Sequence, residues 1–248
     1  MTMSNQIKTK AIVLHEMPIG DYDKRLILLT KEQGKVTAFV KGARRPKSKL
    51  LGASQLFTYG EFVLAQGKSS YNVYQAQIIE SFNHLRTDME DLTYGMYMLE
   101  FTDFVAKDEM MNQALMRWLL ISLTVLEKQK IPSRLVIRIF ELKAMSIIGL
   151  TPWLDDCVIC HKEDIKYFSP ESGGVLCPDR SHGVPDLLGI HPGALHAMRY
   201  ILTQPMNRAY SFELEMTELL ELEQIMTQFL WTNFNKKFKT MEFLKQLR

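Results

Sequence analysis

The stretch Lys35-Val-Thr-Ala-Phe-Val-Lys41 alternates in character at every position. In an extended strand successive side chains point to opposite faces. Val36, Ala38 and Val40 therefore share one apolar face, and Lys35, Thr37, Phe39 and Lys41 the other. The first face belongs to a core. The second sets an aromatic ring between two ammonium groups, the combination that single-stranded nucleic acid uses for base stacking and phosphate contact. Phe39 equally suits packing against a neighbouring helix, with the lysines extended around it.

Working outward, Gly42-Ala-Arg44-Arg45-Pro46-Lys47-Ser-Lys49-Leu-Leu-Gly52 follows directly. Four cations within six residues, bracketed by glycines, predict a mobile basic loop between two strands. Such a loop suits phosphates, with acidic protein partners as the alternative. Lys24 and Arg25, at the head of the preceding strand, join Lys35, Phe39, Lys41, Arg44, Arg45, Lys47 and Lys49 as the candidate DNA-contacting set. Four more β-rich runs surround the opening stretch: 8–15, 25–30, 57–65 and 71–80. Turn chemistry separates them at Pro18-Ile-Gly20, Gln33-Gly34, Arg45-Pro46 and Gln66-Gly67. Five strands without a long helix predict a small closed barrel, of which the oligonucleotide-binding (OB) fold is the commonest five-stranded kind. Pattern alone admits other small barrels.

Beyond Ser81 the period changes. Apolar residues recur at helical spacing over 88–107, 112–128 and 133–148, with Gly149 a stop signal. Further helices are expected over 192–202, 212–232 and 239–247, the first opened by Pro192. The basic C-terminal end interleaves Lys236, Lys237, Lys239, Lys245 and Arg248 with Phe234, Phe238, Phe243 and Leu244, and its aromatics read as core. The fold class is thus α+β and multidomain. A barrel domain over 1–82 precedes a helical domain over 83–248, with a loop-rich insert at about 151–189.

That insert holds all three cysteines. Cys157 and Cys160 form one Cys-x-x-Cys pair, and sixteen residues later comes Cys177-Pro-Asp-Arg180. A fourth cysteine at position 180 would complete a structural zinc site of two knuckles. Arginine cannot ligate a metal. His182 lies two residues on and His161 follows Cys160, so the expected ligand set is Cys157, Cys160, Cys177 and His182, with a metal-free loop held by packing as the alternative.

Residues 1–82 carry twelve Lys and Arg against six Asp and Glu, a charge of +6. The whole chain is +2, which leaves −4 for the remainder. This asymmetry points to a polyanion partner for the basic third. Clustered, unpaired-looking thiols, no basic-then-apolar leader in Met1-Thr-Met-Ser-Asn-Gln and no membrane-length apolar run predict a cytoplasmic protein without a membrane role. Motifs for catalysis are lacking. Gly34-Lys35 and Gly42 do not have phosphate-loop spacing, His15 near Asp21 and Asp23 has no nucleophile to complete a triad, and Asp88, Asp91, Asp103 and Asp108 are spread along an expected helical surface. A non-enzyme is expected.

Together these features resemble the bacterial RecO recombination-mediator family. The resemblance is carried by Lys10-Ala-Ile-Val-Leu14, by Gly34 through Arg45, by Arg138-Ile-Phe-Glu-Leu-Lys143 running into Gly149-Leu-Thr-Pro152, and by Gly173-Gly-Val-Leu-Cys177. It implies an OB-fold domain, a helical domain and a zinc-finger-like insert. It also implies a cytoplasmic, nucleoid-associated role in DNA damage repair through the RecF pathway. Members bind single- and double-stranded DNA and anneal complementary strands. With RecR they load RecA onto DNA coated by single-strand-binding protein (SSB), whose acidic C-terminal tail they contact. The alternative function is an adaptor whose basic surface serves acidic peptides such as that tail. Arg180 departs from the family's four-cysteine pattern, which bears on the metal rather than the fold.

Overall fold

A computed structural model gives the fold and describes residues 6–108 and 112–246. Residues 1–5, 109–111, Leu247 and Arg248 lie outside the described residues. Five strands, β1 (Gln6–Ile19), β2 (Asp23–Thr30), β3 (Gly34–Val40), β4 (Tyr59–Gln66) and β5 (Tyr71–Glu80), close into a barrel in the order β1-β2-β3-β5-β4. All neighbours are antiparallel except β3 and β5, which meet in parallel at Ala38–Tyr71 and Phe39–Asn72. This is the OB-fold barrel that the strand pattern predicts. Burial along β3 alternates as expected: Val36, Ala38 and Val40 join Val13, Leu26, Leu28, Phe62 and Leu64 in the barrel core.

Two features of the barrel differ from the expectation. Strand β1 runs through Pro18, read from sequence as a turn, and ends at Ile19. Its pairing with β4 covers only Gln6–Ile12, so beyond that point one edge is free, and a proline costs no ladder hydrogen bond there. The 42–52 segment is not a loose loop. Consecutive turns, Arg45 N to Gly42 O, Ser48 N to Arg45 O, Leu51 N to Ser48 O and Ser54 N to Leu50 O, carry the chain from β3 toward β4. Ala43, Ala53 and Phe57 are buried beneath them, which pins the segment down while its cations stay outside.

Helix α1 (Met89–Val105) starts at Asp88, whose carboxylate accepts from the Asp91 N–H at 2.9 Å. Gly95 on α1 gives room to the Phe57 ring: a Cβ there would lie 3.0 Å from it. Asp91 is buried rather than solvating the helix surface as expected. Helix α2 (Gln113–Lys128) follows. The described residues through Glu127 pack as one compact unit and those from Lys128 onward as a second, so α1 and most of α2 pack in the same unit as the barrel.

The second unit contains α3 (Ser133–Ile147), α4 (Pro192–Thr203), α5 (Met216–Phe234) and α6 (Lys239–Gln246). Helix α5 begins later than the expected 212, where Glu215 and Glu218 form a reciprocal capping box. At the C-terminal end, Phe238 and Leu244 are buried as core, while Phe243 is exposed. The insert, read as loop, builds a small antiparallel sheet from β6 (Tyr167–Ser169), β7 (Gly174–Leu176) and β8 (Leu188–Gly189). Phe168 docks it edge-on against Phe229 of α5, with ring centroids 5.7 Å apart. Arg199 of α4 donates to the Leu154 and Asp155 carbonyls at 2.6–2.8 Å. Among the described residues no helix is long and apolar enough to cross a membrane.

Candidate nucleic-acid interface and cysteine cluster

The pleat sets up one side of the barrel. Met17, Arg25, Phe39 and Asn72 lie in register across β1, β2, β3 and β5, and so form a row on the outer face. Arg25 and Phe39 are half-buried and Met17 is exposed. Lys41 continues from Phe39 into the turn segment, where Arg44, Arg45, Lys47 and Lys49 are all exposed.

The turn segment is tied to the β1–β2 turn. Asp23 Oδ1 accepts from the Gly42 N–H at 2.7 Å, the Arg44 N–H donates to the Tyr22 carbonyl at 2.8 Å, and Arg44 Nη1 donates to the Gly20 carbonyl at 3.2 Å. The Arg45 guanidinium lies 5.3 Å from the centroid of the Tyr22 ring, a contact worth about 0.5–1 kcal/mol at an exposed site. Tyr22 itself is 49% exposed. It escaped the sequence reading because it sits in a turn between two aspartates, outside any strand period. Its one signal is an aromatic residue where a turn favours small polar ones. Tyr22, Arg25, Phe39, Lys41, Arg44 and Arg45 thus make a basic, aromatic end of the barrel.

Two candidates from the sequence are engaged elsewhere. Lys24 pairs with Glu16 and donates to the Ser54 carbonyl at 3.1 Å, leaving it 12% exposed; Glu16 in turn accepts from the Leu56 N–H at 3.2 Å. This pair stitches the turn segment to the strands. Lys35 donates to the Asp103 carbonyl at 2.7 Å and faces the Asp103 and Asp108 carboxylates at 3.4 and 3.5 Å. Both lysines serve the packing of their own unit.

A separate hollow of about 350 Å³ lies between the barrel and α2. Lys10, Lys31, Arg117 and Tyr59 line it, with Met116 and Leu120 supplying apolar surface, and Lys31 also lies 3.7 Å from the Glu32 carboxylate.

In the insert, the Sγ atoms of Cys157, Cys160 and Cys177 all lie within 4.8 Å of one another, with Cys160 and Cys177 3.6 Å apart. Thiolates at about 2.3 Å from a tetrahedral zinc ion stand roughly 3.8 Å from each other, so the three sulfurs fit three corners of such a site. Burial pushes the Cys157 thiol up, but N–H groups of Cys177, Ile159 and Cys160, with the Cys160 side chain, bring it down to about 6. Burial raises Cys177, reinforced by the Cys160 and Cys157 side chains. The fourth expected ligand is not brought in: His182 is exposed and outside the group. His161 Nδ1 is taken up 3.0 Å from Asp156 Oδ1. Arg180 occupies the position of a fourth cysteine on the second knuckle, its N–H directed to Cys177.

The chain thus combines an OB-fold barrel that has a basic, aromatic end with helices and an insert that gathers three cysteines. The family model described as "Recombination protein O N terminal" matches residues 3–82, and "Recombination protein O C terminal" matches residues 86–242. The chain is 34% identical over 245 residues to the DNA repair protein RecO of Acetivibrio thermocellus, covering 98% of each. It is 32% identical to that of Alkaliphilus metalliredigens, covering 97% of this chain and 99% of the relative. The chain belongs to the RecO family, and its role is in DNA repair and recombination.

Proposed function

We propose that this chain is a non-catalytic mediator of recombinational repair that binds single- and double-stranded DNA at the basic end of its barrel. The observation that carries the reading is the cross-strand row Met17–Arg25–Phe39–Asn72 running into the exposed cations Lys41, Arg44, Arg45, Lys47 and Lys49. Half-buried Phe39 and exposed Tyr22 offer flat rings to bases, and the cations hold phosphates. Lys24 and Lys35, committed to carboxylates of their own unit, contribute to the field rather than to contacts. Because the grip is on backbone and base faces, the pairing edges of a bound strand stay accessible to a complementary one. This supports strand annealing and, with RecR, the loading of RecA onto SSB-coated DNA, in a cytoplasmic, nucleoid-associated setting.

Annealing of two complementary labelled oligonucleotides tests the reading. Replacing Tyr22 and Phe39 together with Ala should slow annealing at least tenfold without unfolding the barrel. Annealing unchanged in that variant would remove the aromatic end from the site.

The hollow lined by Lys10, Lys31 and Arg117 favours a second, compatible activity: capture of an acidic peptide with an apolar anchor, the chemistry of the SSB tail. Arg117→Glu should weaken such a peptide while sparing the affinity for a bare oligonucleotide. Equal loss of both would merge the two sites.

The cysteine cluster fits structural zinc held by Cys157, Cys160 and Cys177. Bound there, the ion would tie the two knuckles of the insert together and supply no reaction chemistry. Metal analysis of the purified protein tests this.

A further inference from the structure

The insert has the backbone of a two-knuckle metal site but only three of its sulfurs. In the first knuckle, the His161 N–H donates to the Cys157 carbonyl at 2.9 Å, and this turn brings the Cys160 sulfur beside that of Cys157. In the second, the Arg180 N–H donates to the Cys177 carbonyl at 3.1 Å, closing a turn in which residue 180 stands three positions after Cys177, as Cys160 does after Cys157. The Arg180 side chain is exposed and has no lone pair to offer a metal. Among the described residues, no histidine or carboxylate joins the sulfur group: His161, Asp179 and His182 are exposed and lie outside it, with Asp179 paired to Lys162.

We propose that, among the described residues, Cys157, Cys160 and Cys177 are the only ligands of a bound zinc ion, and that its fourth position is open to an exogenous monodentate donor. The inference rests on the zinc reading above. Three protein ligands would tie the two knuckles together and still leave a tetrahedral zinc ion one position for an exchangeable donor. Buried Cys157 and Cys177 form the inner wall, while partly exposed Cys160 marks the side from which a donor enters. Exchange there is a simple substitution: water leaves as a nitrogen or sulfur donor binds, with no change in the oxidation state of the metal.

The test uses the full chain loaded with cobalt(II), whose visible spectrum reports ligand number and type, with imidazole as the exogenous donor. Wild type and His182→Ala should give the same tetrahedral thiolate spectrum, and imidazole should shift the d–d bands of both with metal content unchanged. Arg180→Cys should show stronger thiolate charge transfer and no response to imidazole. A changed spectrum in His182→Ala before imidazole is added, or a wild-type spectrum blind to imidazole, would overturn the open position while leaving metal binding intact. Failure of wild type to take up zinc or cobalt would overturn the zinc reading and the open position together. The wild-type and His182→Ala measurements decide the matter even if Arg180→Cys does not fold.

Discussion

Single side chains divide into those that hold the barrel together and those that face outward, and the two groups look alike in sequence. Lys24 and Lys47 are both lysines of the basic third, yet one is clamped between Glu16 and the Ser54 carbonyl and the other is exposed. Lys24→Met leaves Glu16 largely unpaired and should cost about 2 kcal/mol in urea denaturation, with the salt dependence of DNA binding little changed. Lys47→Met should stay within about 0.5 kcal/mol of wild type and weaken DNA binding. The reverse assignment would exchange their roles. Lys143 shows the same logic in the second unit. Its ammonium donates to the Ile201, Leu202 and Gln204 carbonyls at 2.8–3.0 Å, closing the C-terminus of α4, and burial lowers its pKa. Lys143→Met should destabilise the protein by about 2–4 kcal/mol, measured in the same way. The carbonyl partners were not legible in the sequence, because they lie about thirty to sixty residues from their lysines, and Glu16, eight residues from Lys24, is brought to it only by the pairing of β1 with β2.

Elements were more legible than residues wherever a period of 2 or 3.6 was expressed. Val36, Ala38 and Val40 announced β3 because a half-buried strand has to alternate. The successive turns after β3 were not legible, because their anchors, Ala43, Ala53 and Phe57, are spaced by turns and follow no period. The insert hid its strands for a related reason: three residues are too few to show alternation. Gly174 is the close-packed point of that insert, since a Cβ there would lie 2.5 Å from the Trp153 carbonyl. Gly174→Ala should therefore separate the Trp153 segment from β7 and lower metal retention, read as faster zinc loss to a chelator. Nearby, the Trp153 indole N–H and then His161 hold the Asp156 carboxyl below its usual range. A depressed folded pKa means that this contact adds stability above the unfolded carboxylate pKa and loses it as pH falls through the folded value. Asp156→Asn should thus make the insert less sensitive to acid across that window, followed by Trp153 fluorescence.

At the scale of the whole molecule, charge separates along the chain, +6 over residues 1–82 and −4 over the rest. The sequence located the basic third and its aromatic–lysine strand. It could not show that the β1–β2 turn brings Tyr22 under Arg45, or that the Lys24 and Lys35 charges are already matched. What the fold adds is direction: Lys41, Arg44 and Arg45 gather at one end of the barrel beside two rings, while Lys49 lines a hollow over β4 and β5 with Lys8 and Glu61. Net charge near zero is therefore no guide to how the chain meets a polyanion. The most direct test is the salt dependence of single-stranded DNA binding by wild type and by a variant carrying Arg44→Glu, Arg45→Glu, Lys47→Glu and Lys49→Glu. Each phosphate contact contributes about 0.7 to the slope of log affinity against log salt for a single strand, so losing four should flatten it by about 3 and weaken binding. An unchanged slope and affinity would contradict the assignment of the DNA site to this end of the barrel.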